Sequence, residues 1–331
     1  MKTKFKSTIR ATCRLFSGAV YAGAALLIVT SAKAQNQNLF VSDVGNGNIY
    51  EVTPGGVLGT FASGLGWPAG LAFNSAGVLF EADSETGNIY KFTLAGTHST
   101  FASGLNVPHG LAFDNANNLF VADQNSGNIY EFTPNGTRST FASGLNNPNG
   151  LAFNSAGDLF VTAELSGNVY EFTPNGTRST FASGLYYPDG LAFNSAGNLF
   201  VVCSGGIYQF TPGGVQSAFA SGFSQTGDVA INSAGDLFVT DLFDGSIHEY
   251  TPDGQPSTFV SGMDDPLFLA FQPVPEPSAG GLMVVGIAIL FILRHNYQRP
   301  PNNSPEPTAV GAFLSAVAVH VASRRWLSFL R

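Results

Sequence analysis

Short apolar runs, not long amphipathic stretches, set the rhythm of this chain. LFVAD, NIYEF, STFAS and GLAF are rich in Val, Ile, Phe and Tyr, and clusters of Gly, Pro and Asn separate them. Runs of this length bounded by turn residues predict strands. Several are apolar on both faces, as expected of strands covered from two sides. Thr133-Pro134-Asn135-Gly136 and Asn154-Ser155-Ala156-Gly157 carry the chemistry of tight turns, with Pro where φ is fixed and Gly where it must be free. Helices are disfavoured throughout.

The pattern is periodic. A Leu-Phe pair opens a unit at Leu39, Leu79, Leu119, Leu159, Leu199 and Leu237, with spacings of 40, 40, 40, 40 and 38 residues. The fifteen residues from Glu131 to Leu145 return unchanged from Glu171 to Leu185. About 40 residues holding four strands is the period of a propeller blade. The first unit begins at Leu39 with a second strand, and LFLAF from Leu267 to Phe271 is a first strand without successors. Each end supplies what the other lacks. The reading is an all-β, six-bladed β-propeller over residues 35–273, with four antiparallel strands per blade. GLAF is innermost and STFAS outermost, and the ring closes by pairing the N-terminal strands with the C-terminal inner strand, which leaves no open sheet edge.

Successive antiparallel strands put alternate connections on opposite faces. The NSAG and TPNG turns share one face, and the connections that differ between copies share the other. The variable face is therefore the expected binding surface, with Trp67, Tyr186 and Tyr187 as platforms for sugar rings. One residue at the start of each inner strand should face the central channel: Ala69, His109, Asn149, Asp189, Gly227 and Leu267 in ring order. The three polar residues are consecutive, so half of the channel mouth is equipped to hold a polar group. Asp43, Asp83, Asp123 and Asp241 recur at the end of the second strand, where a carboxylate accepts bonds from turn amides. Cys203 takes that place in blade five and reads as a small buried residue.

Composition sharpens the picture. Hydrophobic residues make up 44% of the 331, charged residues 11%, and 39 Gly and 29 Phe suit many short strands and turns. Between residues 35 and 273 only Lys91, Arg138 and Arg178 oppose twenty acidic residues, a balance of −17. That excludes a basic track for phosphates, and with it nucleic acid as a partner. No Ser-His-Asp order, Gly-rich phosphate loop or paired-cysteine motif occurs.

Neither Trp67 nor Trp326 is followed by Asp, which argues against a WD-type propeller. In Pro148-Asn149-Gly150-Leu151 and Pro188-Asp189-Gly190-Leu191 the units resemble NHL repeats and the gluconolactonase/regucalcin superfamily. That resemblance implies a divalent metal, calcium or another, held by Asn149 and Asp189, with Asp189 as catalytic base. The family's further Glu is replaced here by Leu267, and His109 stands where a second Asn is expected. Calcium takes six to eight oxygens, so weak metal binding is expected. Two functions follow. One is a ligand-binding or scaffolding module for a glycan or protein. The other is a metal-dependent lactonase or esterase using Asp189, Asn149 and His109. Whether the chain is an enzyme stays open at this point.

The two ends read as addresses. Residues 1–34 combine Lys2, Lys4, Lys6, Arg10 and Arg14 with an apolar run and an Ala-x-Ala site, the pattern of a signal peptide cleaved after Ala34. In residues 274–299, Pro275, Glu276, Pro277 and Ser278 lead into an apolar run, a membrane helix ended by Arg294 and Arg299. These resemble a PEP-CTERM sorting signal. The resemblance implies an exosortase-type processing partner and a chain exported in a Gram-negative bacterium to the periplasm, outer surface or extracellular matrix, at least transiently membrane-anchored. Residues 300–331 form an extension with a second, weaker copy at Pro305-Glu306-Pro307.

Overall fold

The computed structural model describes residues 37–223 and 225–273. The expected signal peptide, the sorting-signal residues Pro275, Glu276, Pro277, Ser278, Arg294 and Arg299, and the 300–331 extension lie outside them. Among the described residues, no helix is long and apolar enough to cross a membrane. They contain 24 strands in six four-stranded antiparallel sheets, and the one helical element is a short 3-10 turn at Glu164–Ser166.

Five sheets take their strands in chain order, for example Pro148–Phe153, Leu159–Ala163, Asn168–Phe172 and Arg178–Ala182. The sixth joins Leu39–Asp43, Asn48–Val52 and Leu58–Ala62 to Pro266–Phe271. This ring-closing sheet is blade one, and blades two to six open at Pro68, Pro108, Pro148, Pro188 and Thr226. The fold is thus the six-bladed propeller expected, closed as expected.

Phenylalanine explains how the blades hold one another. The Phe of each Leu-Phe pair sits between two blades and meets other rings edge-on, as Phe120 does with Phe141 at 5.0 Å and Phe153 at 5.1 Å between centroids. The contact repeats at Phe40, Phe80, Phe160, Phe200 and Phe238. Such pairs add about 0.5–1.5 kcal/mol each beyond the area they bury. Second strands are buried along their whole length, whereas outer strands are mostly exposed.

A β-bulge recurs in the inner strands and aims the site. In blade four Pro148 pairs with Ala163 but Leu151 pairs with Val161, so Asn149 and Gly150 share one partner position. The extra residue turns side chains away from the regular pleat. It also brings neighbouring inner strands close: a Cβ on Gly110 would lie 2.1 Å from the Asn149 carbonyl oxygen, which leaves room for glycine alone. Hydroxyls bridge the same seam. Thr162 Oγ1 accepts from the Gly150 N–H at 2.8 Å and donates to the Asp189 carbonyl at 2.6 Å.

Candidate functional site at the channel mouth

The bulges set His109, Asn149 and Asp189 side by side on three consecutive inner strands. His109 Nδ1 lies 2.5 Å from Asn149 Oδ1. Burial pushes the imidazole down to about 4, with the Asn149 bond pulling the other way. The ring is neutral at pH 7, and Nδ1–H is the donor that satisfies the amide oxygen. On its other side the ring meets Phe268 edge-on at 5.0 Å.

Asp189 is the least satisfied member. It is half-buried, and its Oδ1 is cut off from solvent without a hydrogen-bond partner among the described residues. Burial, then the carboxylates of Glu164 and Asp228, raise its carboxyl well above the usual range. Glu164 is raised by burial, and its Oε2 accepts from Asn147 Nδ2 at 2.9 Å. Asp228 is buried. Burial pushes it up to about 7, opposed by the N–H groups of Leu269 and Val229, and Leu269 N–H donates to Oδ2 at 3.1 Å.

The pattern of Pro148-Asn149-Gly150-Leu151 does not point to Asp228 or Phe268, nor to Glu164, which lies in a connection that differs between copies. Blade six reads Thr226-Gly227-Asp228-Val229, so its acid stands where blades two to five have glycine. Gly227 is buried and featureless as a ring residue, but the next residue supplies a carboxylate, so a polar group also stands outside the run of His109, Asn149 and Asp189. Phe268 likewise occupies the glycine position of blade one, and the signal in both cases is a lost glycine.

Three of the recurrent aspartates, Asp43, Asp83 and Asp123, are structural, as expected. Asp83 accepts from Gly66 N–H at 2.8 Å and Thr86 N–H at 2.9 Å, and Asp123 from Asn106 N–H at 2.8 Å. Asp43 holds Asp264 and Asp265 N–H in the same way. Blades four and five lack this clamp, with Ala163 and Cys203 in its place, and these are the blades that carry Asn149 and Asp189. Cys203 is fully buried, its thiol pushed up to about 12 by burial and by Asp189.

The aromatic platforms are exposed on the variable face: Trp67 at 59%, Tyr186 at 68% and Tyr187 at 44%. They do not form one surface, because Trp67 belongs to blade two and the tyrosines to blade five, opposite in the ring. Tyr186 and Tyr187 meet edge-on at 4.8 Å, three and two residues before Asp189. Trp67 borders a separate hollow with Asn46, Glu85 and Val107.

Asn149 and Asp189 bring one amide oxygen, already bonded to His109, and one carboxylate. Among the described residues, no three of the channel's carboxyl, thiol and imidazole groups bring their ligand atoms within 4.8 Å of one another. This donor set does not fit a preformed metal centre.

Residues 17–164 match the model of the SMP-30/Gluconolactonase/LRE-like region. No curated protein matches the chain. Solved structures share the fold. A chain of a nidogen/laminin complex is 20% identical over 73% of this chain and 100% of its own, with a TM-score of 0.66. A gluconolactonase of Xanthomonas campestris is 19% identical over 66% and 81%, with a TM-score of 0.56. A streptogramin B lyase is 15% identical over 68% and 88%, with a TM-score of 0.56.

Proposed function

We propose that this chain, a gluconolactonase-like six-bladed β-propeller, binds a hydroxyl-rich ligand, a glycan or a sugar-derived lactone, at the polar half of its channel mouth. The observation that carries the reading is the buried, unpartnered Asp189 Oδ1 beside the neutral His109–Asn149 pair. An unbonded buried oxygen costs about 1–3 kcal/mol, and a ligand hydroxyl would remove that cost. Tyr186 and Tyr187, exposed in the connection that leads into Asp189, offer apolar faces suited to sugar rings. Export through residues 1–34, exosortase-type processing and membrane attachment through residues 274–299 belong to the same proposal, and would put the variable face among envelope glycans or proteins.

Hydrolysis of a bound lactone is the second reading, favoured by the raised Asp189 carboxyl and the family match. A carboxyl with an elevated pKa is a competent general base once ionised. His109, neutral and fixed by Asn149, would orient the ring oxygens.

Titration of the full chain with a panel of oligosaccharides and aldonolactones, with lactone opening followed in parallel, tests both. Binding that Asp189→Asn weakens at least about tenfold, worth ~1.4 kcal/mol, supports recognition. Turnover lost in the same variant adds the hydrolase. Absence of binding and of turnover across the panel overturns both.

A further inference from the structure

A second constellation lies away from the channel, at the turn between the second and third strands of blade six. Asp241 ends one strand, Asp244 sits in the turn, and Ser246 and His248 open the next. His248 Nε2 is 3.5 Å from Asp244 Oδ2 and 4.0 Å from Asp241 Oδ2. Ser246 Oγ donates to Asp244 Oδ1 at 2.5 Å and lies 3.1 Å from His248 Nε2. The three ligand atoms offered by Asp241, Asp244 and His248 fall within 4.8 Å of one another, and no other such set of His, Cys, Asp or Glu occurs among the described residues.

The sibling blades show that this set is a replacement and not the default of the turn. In blade one the same three positions are Asp43, Asn46 and Tyr50. There Asn46 Nδ2 donates to Asp43 Oδ2 at 3.1 Å and to the Tyr50 hydroxyl at 3.0 Å. That network is complete with one negative charge. The tyrosine recurs as Tyr90, Tyr130, Tyr170 and Tyr208, and in blades two to four an Asn two residues earlier donates to its hydroxyl. Relative to blade one, blade six changes all three partners together: Asn to Asp at 244, Asn to Ser at 246, Tyr to His at 248. The bridging donor is lost, a second carboxylate stands beside the first, and a metal-ligating imidazole faces both. Two carboxylates at this separation repel unless positive charge lies between them.

We propose that Asp241, Asp244 and His248 form a site for a divalent transition-metal ion of the zinc class, open at the fourth position. Ligands about 2.1 Å from one ion at the tetrahedral angle lie ~3.4 Å apart. The His248–Asp244 separation already meets this, and Asp241, 4.0 Å from His248 Nε2, has to move inward. One imidazole nitrogen and two carboxylate oxygens suit zinc, nickel or copper better than calcium, which calls for more oxygens. Asp244 is exposed and Asp241 buried, so the open position faces solvent on the variable face. A ligand carboxylate or hydroxyl on a partner molecule would complete the shell there.

The test is zinc chloride titrated into the full chain, read by calorimetry and by the thermal midpoint. The comparison is the double variant Asp244→Asn/His248→Tyr, which restores the set that blade one holds. The wild type should take up one more zinc ion than the variant and gain in thermal midpoint. Affinity at this site should fall at least about 100-fold in the variant, since even outer-shell partners are worth about 10–100-fold. Cobalt(II) should give a ligand-field spectrum with the wild type that the variant lacks. Equal zinc uptake by the two proteins overturns the proposal, as does no uptake by a folded wild type, which would leave the contacts among Ser246, Asp244 and His248 as the site's only content.

Discussion

Leu39 lies opposite Phe271 in an antiparallel ladder, and Gln272 N–H donates to the Asn38 carbonyl at 2.9 Å just beyond it. Two ends of the described chain thereby share one sheet, with Phe40 buried beneath them against Phe61 and Phe73. A chain ending at Asp265 should lose this closure. It would bare the edge of Leu39–Asp43 and the flank of the blade-six inner strand, both lined by buried apolar residues. The expected outcome is aggregation on gel filtration and loss of a cooperative melt, whereas a monodisperse, cooperatively melting truncation would show that the ring does not depend on its last strand.

Asp228 should give the fold a measurable pH dependence. Its carboxyl sits at about 7 in the folded protein against an ordinary value of 3.8. The proton is therefore held more tightly by the native state, and the stability this contributes is fully present below about pH 4 and lost as pH rises through about 7. Asp228→Asn keeps an oxygen for the Leu269 N–H and removes the titration. Urea midpoints of wild type and variant should converge near pH 4 and separate by pH 8 in favour of the variant. Parallel curves across that range would contradict the assignment.

Strand order, blade number and closure were legible because six near-identical copies display the same apolar runs, and a repeat period survives any single substitution. The positions of His109, Asn149 and Asp189 were legible for the same reason. What escaped were single departures at positions that the other copies mark as inert. Asp228 replaces a glycine whose role in its siblings is only to let inner strands approach. Asp244 and His248 are four residues apart in a strand-turn-strand segment, and only the turn brings their side chains together. Glu81 replaces a valine. In each case the copy-to-copy difference was visible, but its consequence depended on which way the bulge or hairpin turned the side chain.

Glu81 is the sharpest of these departures. Its position holds Val41, Val121, Val161, Val201 and Val239 in the other blades, all fully buried. Glu81 is equally buried, and neither carboxyl oxygen has a hydrogen-bond partner among the described residues. Burial first, then Asp83, raise its pKa well above the usual range, and the neighbouring Ala69 N–H, which lies outside hydrogen-bond geometry, opposes the rise. Glu81→Val should stabilise the fold by roughly 1–3 kcal/mol, the usual cost of an unsatisfied buried polar group. Because the native state holds the proton, the gain should be larger at pH 8 than at pH 4, as read from urea melts. A destabilised variant would mean that this carboxyl has a partner that the fold alone does not supply.

Glu164 should tune Asp189 from the neighbouring blade. It is the residue after Ala163, in one of the two blades that lack the clamping aspartate, and its charge is the second cause, after burial, of the raised Asp189 carboxyl. Glu164→Gln removes that charge while keeping an oxygen for Asn147 Nδ2. Asp189 should then ionise at lower pH than in the wild type. If ligand hydroxyls donate to the Asp189 carboxylate, the rise of binding with pH should begin at lower pH in the variant, with affinity at high pH little changed. Any lactone-opening activity should move the same way, since it depends on the same ionised form. A variant that loses affinity equally at every pH would instead make Glu164 a direct ligand contact, and an unmoved profile would mean that Asp189 does not govern binding.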